Sequence, residues 1–173
     1  MLEAIIFVVF PFCMAFAAVS DMLSMTIANR VSVILLLTFA LIAPLTGMSW
    51  AAYGMHFAAG ALVLSVTFAL FALGGMGGGD AKLLSATAVW FGFGFGLLQY
   101  LVVASMIGGV LTMAILYYRG SPLALMTGNN TFLRHFANAK TGVPYGIALG
   151  LSGLITFPEA PLIQWALERL AVL

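Results

Sequence analysis

Long apolar runs, closely spaced and broken by glycine, proline or charge, constrain this chain more than any other feature. Six can be drawn, at about 4–20, 31–48, 55–73, 83–98, 100–118 and 143–157. Runs of this length suit helices that cross a bilayer better than the shorter, alternating strands of a barrel. The sequence is 64% hydrophobic and 6% charged, whereas soluble domains carry roughly 25% charged residues. The expected fold is therefore all-α: a polytopic transmembrane helical bundle of about six spans, forming one domain over 1–173. The fourth run is short and rich in glycine, and so the weakest helix of the six. The tail, 158–173, differs from the rest. Leu162, Ile163, Ala166, Leu167 and Leu170 recur at helical spacing, with Glu168 and Arg169 off the stripe. It reads as a C-terminal amphipathic helix on the membrane surface, with docking into a partner's groove as the second reading.

Several function classes drop out. A net charge of +1 leaves no basic patch dense enough to neutralise phosphates, so nucleic acid is not an expected partner. Cys13 is the single cysteine, and His56 and His135 lie far apart without metal-ligand spacing, so neither a disulfide nor a metal site is expected. Both histidines read as structural or interfacial residues. The first run lacks the positive flank of a signal peptide, its only early charge being Glu3, and reads as a retained helix. Trp50, Tyr53, Tyr100, Tyr117 and Tyr118 fall near proposed span ends, where amphipathic rings prefer the interface. Alternating spans put Arg30, Lys82, Arg119, Arg134 and Lys140 on one side and Arg169 alone on the other. The positive-inside rule makes the first side cytoplasmic. The loop 119–142, with Gly128-Asn129-Asn130 and the basic Arg134-His135…Lys140 stretch, reads as a solvated loop near anionic headgroups, or as a surface that receives substrate.

Gly74-Gly75-Met76-Gly77-Gly78-Gly79-Asp80 closes the third run. An ionisable residue at membrane depth is costly and marks a functional site by default. A second, Asp21, ends the first run. Two spans separate it from Asp80, and two crossings return the chain to the side it left. Both carboxylates therefore reach the same membrane boundary. Paired carboxylates are the working parts of aspartic hydrolysis: one acts as general base on water while the other, protonated, donates to the carbonyl oxygen. No metal or organic cofactor is needed. Glycines beside such a pair let an extended substrate backbone approach closely. The plainer reading of the glycines alone is a tight turn with small-residue packing. Lys82, two residues past Asp80, is expected to act on its charge.

At these residues the chain resembles the prepilin peptidases, polytopic aspartic proteases of the bacterial inner membrane. Gly77-Gly78-Gly79-Asp80 followed by Lys82-Leu83-Leu84 matches their Gly-x-Gly-Asp motif. Asp21…Ile27-Ala28-Asn29-Arg30 is similar to their first aspartate and the Ile-Pro-Asn-like turn after it, and Val143-Pro144-Tyr145-Gly146 is similar to the start of their sixth span. Six spans over the whole chain match the short branch that serves Flp-type, tight-adherence pili. The resemblance implies Asp21 and Asp80 as the catalytic pair. Gly77, Gly78, Gly79, Lys82 and Asn29 become substrate-binding or supporting residues, and a prepilin or pseudopilin precursor embedded in membrane lipid becomes the substrate. Cleavage is implied at the cytoplasmic face, generally after glycine and before the pilin's hydrophobic helix. Ala28 departs from the family's frequent proline, which weakens the turn. The paired Cys-x-x-Cys domain of the long forms is absent, and nothing here supports an N-methyltransferase activity.

Two other classes compete. Intramembrane carboxylates and glycine-broken helices also mark small ion-coupled transporters or channel components, although here both carboxylates fall at one boundary and no inverted repeat is visible. An inert assembly factor of a pilus or secretion machine is the third reading.

Overall fold

A computed structural model describes residues 1–122, 124 and 142–171. Among the described residues there is no strand, and the α-helices are α1 (Leu2–Ser24), α2 (Asn29–Ile42), α3 (Trp50–Ala72), α4 (Gly78–Phe91), α5 (Phe95–Arg119), α6 (Tyr145–Thr156) and α7 (Pro161–Ala171). Short 3-10 turns at Ala43–Thr46 and Phe157–Glu159 extend α2 and join α6 to α7. Among the described residues, four helical segments are long and apolar enough to cross a membrane: α1, α2 with its 3-10 extension, α3 and α5. The α6–α7 pair, bent by 46°, makes a fifth if taken as one span.

The fourth segment behaves differently from the span drawn over 83–98. At 14 residues, α4 is only about 21 Å long, short of the roughly 30 Å hydrocarbon core. Ala81 and every residue of Leu83–Phe91 are buried. A helix apolar on all faces is one enclosed by other helices, and α4 packs against α2, α3 and α6. It ends where Gly92 takes a left-handed φ of 63°, and α5 starts at Phe95, before the break placed near residue 99. Tyr100 consequently lies inside α5, fully buried and stacked 5.4 Å from Phe91, rather than at the interface. Trp50 and Tyr117 are exposed.

Small residues let the helices approach. A Cβ at Gly60 of α3 would collide with Val89 of α4, and one at Gly150 of α6 would lie 2.8 Å from the Ala18 Cβ of α1. Such close backbone approach is the usual device for packing helices where lipid supplies no hydrophobic drive. Around the mid-bundle, Trp90 donates from Nε1 to the Leu35 carbonyl at 3.0 Å and meets Phe10 and Phe39 at 5.0 and 6.0 Å. His56 is buried, donates from Nδ1 to the Val89 carbonyl at 2.7 Å and lies 4.9 Å from the Phe39 ring. This is the structural role read for it. His135 lies outside the described residues.

The amphipathic tail helix, α7, divides its apolar stripe. Leu162, Ile163 and Ala166 are buried against the bundle, while Leu167 and Leu170 remain exposed. Arg169 pairs with Glu3 at 3.6 Å, at the end of the bundle where α1 begins. At the opposite end, Lys82 bonds Asn29 beside Arg30, and Arg119 donates to the Gly142 carbonyl at 3.0 Å. The described cations thus separate to two ends of the bundle. Arg134, Lys140 and the Gly128–Asn130 turn fall outside the described residues.

Candidate active site

Asp21 owes its position to the buried stripe of α1. Ile6, Phe10, Cys13, Met14, Ala17 and Asp21 are the buried residues of that helix, a helical period that puts the carboxylate on the face turned to the other helices. One turn later α1 ends at Met25, whose left-handed φ of 54° is uncommon outside glycine. Met25 N–H bonds the Asp21 carbonyl at 2.9 Å. Ser20 donates to the Thr26 carbonyl at 2.9 Å and Ser24 to the Ser20 carbonyl at 2.7 Å. These bonds fix the turn that carries Ile27 back under the carboxylate.

Asp80 is held by the start of α4. Gly74, with φ 76°, turns the chain after α3, and Gly77 is the N-cap of α4. Gly78 and Gly79 are therefore the first helical residues and not part of an irregular loop. Asp80 is the third, the position from which an acidic side chain reaches back to the N-cap N–H. Its carboxylate lies against Gly77. A Cβ at Gly77 would lie 2.7 Å from Asp80 Oδ2, and one at Gly79 would lie 3.1 Å from Ile27 Cβ. The first glycine thus makes room for the carboxylate and the second for the α1–α2 turn.

Asp21 is held by a backbone N–H. Gly146 N–H, in the first turn of α6, donates to Asp21 Oδ2 at 2.7 Å across 125 positions of sequence. A Cβ at Gly146 would come within 2.8 Å of Asp21 Cβ. Each carboxylate therefore sits at the positive end of a helix, Asp21 at α6 and Asp80 at α4, where free N–H groups and the helix dipole attract negative charge. Both line one cavity of about 680 Å³. Gly74, Gly75 and Gly77 form part of its rim, and it runs down between Leu84 of α4 and Leu101, Ala104 and Ser105 of α5.

Of the residues singled out in the sequence, Asp21, Asp80 and Gly77 meet at this cavity, while Gly78 and Gly79 pack behind it on Phe71 and Ile27. Lys82 and Asn29 do not line it. Lys82 Nζ donates to Asn29 Oδ1 at 2.9 Å, and both border a second cavity on the far side of α4. The cause is helical geometry: residues two apart point about 200° away from each other. The expected action of Lys82 on Asp80 is replaced by a tie between α4 and the start of α2. Gly146 and Ile27 complete the site and were not assigned roles from the sequence. The recognisable sign was an apolar helix starting beside Pro144, whose free N–H groups need an acceptor.

Two acidic side chains on separate helices, at one end of a helical membrane bundle and facing one cavity, define a class of intramembrane acid-pair proteins. The chain belongs to the type IV leader peptidase family, whose model matches residues 8–115. It is thus a membrane protein of a peptidase family that acts on prepilin-type leaders. No curated protein and no solved structure matches the chain. The family match ends inside α5, so Gly146 lies beyond it.

Proposed function

We propose that this chain is an aspartic endopeptidase that removes the leader from prepilin-like precursors, Flp-type pilins among them. In this reading the membrane is the bacterial inner membrane and the cut is made at its cytoplasmic face. The observation that carries the reading is the convergence of Asp21 and Asp80 on one cavity at the rim of the bundle. Two carboxylates there share one proton between them. The ionised one takes a proton from water as the water oxygen attacks the scissile carbonyl carbon, and the protonated one donates to the carbonyl oxygen. Collapse of the tetrahedral intermediate breaks the C–N bond, and the amine leaves with a proton returned from the pair. No metal takes part in these steps.

The chain supplies orientation as well as acid and base. Gly146 N–H holds one oxygen of Asp21, leaving the other for water. The exposed backbone of Gly74, Gly75 and Gly77 offers an edge along which an extended leader could pair main chain to main chain. The slot between α4 and α5 would admit the hydrophobic helix that follows the cut. Lys82 and Asn29 act as supports that fix the Ile27 turn against α4. The gathering of Arg30, Lys82 and Arg119 at the site's end of the bundle favours the cytoplasmic side.

Co-expression with a prepilin tests the reading. Asp21→Asn and Asp80→Asn should each abolish the mobility shift of leader removal while the variant stays in the membrane fraction. Chelator should leave wild-type processing unchanged. Normal processing by either variant would overturn the assignment.

A further inference from the structure

The second cavity, about 440 Å³, lies between α2, α3 and α4 on the side of α4 away from the carboxylates. Its polar groups are graded by depth. Asn29 and Lys82, themselves joined at 2.9 Å, stand at its mouth. Ser32, one helical turn inward along α2, is 95% buried, and its hydroxyl has no hydrogen-bond partner. Below it the lining is Leu36, Leu64, Phe57 and Val89, with Gly60 and Ala86 leaving room between the helices. An unpaired buried hydroxyl costs about 1–3 kcal/mol, so Ser32 calls for an acceptor that the protein does not provide.

We propose that this groove binds one anionic phospholipid, with its phosphate on the Lys82 ammonium and the Asn29 amide, a glycerol-ester carbonyl on the Ser32 hydroxyl and an acyl chain along α4. Three residues of α2 advance about 4.5 Å, a step comparable with that from a lipid's phosphate to its ester groups. The charge fits as well. An ammonium at the membrane rim favours a headgroup of net negative charge. An apolar helix of a partner protein fits less well, because its own backbone satisfies its carbonyls and offers nothing to Ser32. The occupied groove would brace the α2–α4 contact from the lipid side.

Native mass spectrometry of the purified full-length protein, with added phosphatidylglycerol or phosphatidylcholine, tests this. Wild type should retain one phosphatidylglycerol in preference to phosphatidylcholine. Lys82→Gln should weaken that retention about tenfold and erase the preference, since a charge-assisted bond is lost. Ser32→Ala should weaken it about fivefold. Ala61→Trp, at an exposed position bordering the groove, should block retention without entering the core. Equal retention of both lipids by wild type, or undiminished phosphatidylglycerol on Ala61→Trp, would overturn the proposal. A photoreactive side chain at position 61 in native membranes should label phospholipid. Labelling of a pilin-like helix or of a second copy instead would also overturn it.

Discussion

Replacing Gly146 with alanine probes the contact that positions Asp21. A Cβ built there lies 2.8 Å from Asp21 Cβ and 2.7 Å from Ile27 Cδ1. Carbon atoms pack at about 3.5–4.0 Å, so the gap must open by about 1 Å. The Ile27 tip can rotate aside, but Asp21 Cβ is fixed to the backbone of α1, and α1 and α6 are packed along their length. The added methyl should cost about 1–3 kcal/mol as overpacking, and it should stretch the 2.7 Å Gly146–Asp21 bond beyond hydrogen-bond range. A catalytic group misplaced by 1 Å can cost about a hundredfold in rate. Leader removal from a purified prepilin, followed by gel in detergent, should therefore slow about a hundredfold while the thermal midpoint falls by several degrees. Gly109→Ala serves as control. Nothing lies within 4 Å of a Cβ at that α5 position, so it should process normally and gain about 0.5–1 kcal/mol. A Gly146→Ala variant that folds and cleaves at the wild-type rate would refute the idea that Asp21 is held from α6.

Two further substitutions test the scaffold. Ala28 has φ −66° and ψ 130°, values that proline adopts freely, so Ala28→Pro should raise stability by about 0.4–1 kcal/mol and leave cleavage unchanged, read by thermal melting and the prepilin gel. Trp90→Phe removes the buried bond to the Leu35 carbonyl and part of a ring packed on Phe10 and Phe39. It should cost about 2 kcal/mol, measured as a fall in thermal midpoint, with the two carboxylates still able to process substrate.

Much of this arrangement was legible in the sequence because it depends on counting crossings. Two crossings of the chain suffice to bring Asp21 and Asp80 to one rim, whatever the span boundaries. The Gly92-Phe93-Gly94 break was read too late because α4 is enclosed on every face, so its apolar pattern runs on into α5 with no polar stripe to mark its end. The direction of Lys82 was missed for a related reason. Treating 75–82 as a turn hides the rotation of a helix that already begins at Gly78, and only that rotation separates Lys82 from Asp80. The bond from Gly146 could not be read locally, since it joins residues 125 positions apart and depends on how α6 is turned about its axis. The expectation of an interfacial Tyr100 rested on the same late break, since a helix that starts at Phe95 carries this ring inside it.

The dependence of Asp21 on α6 has a temporal consequence. A ribosome delivers both acids within the first half of translation, yet the amide that orients one of them arrives more than sixty residues later. Until that final stretch inserts, the nascent chain holds two unaligned acids. Folding order alone would thus keep a half-made hydrolase idle while it shares the insertion machinery with other newly made membrane proteins.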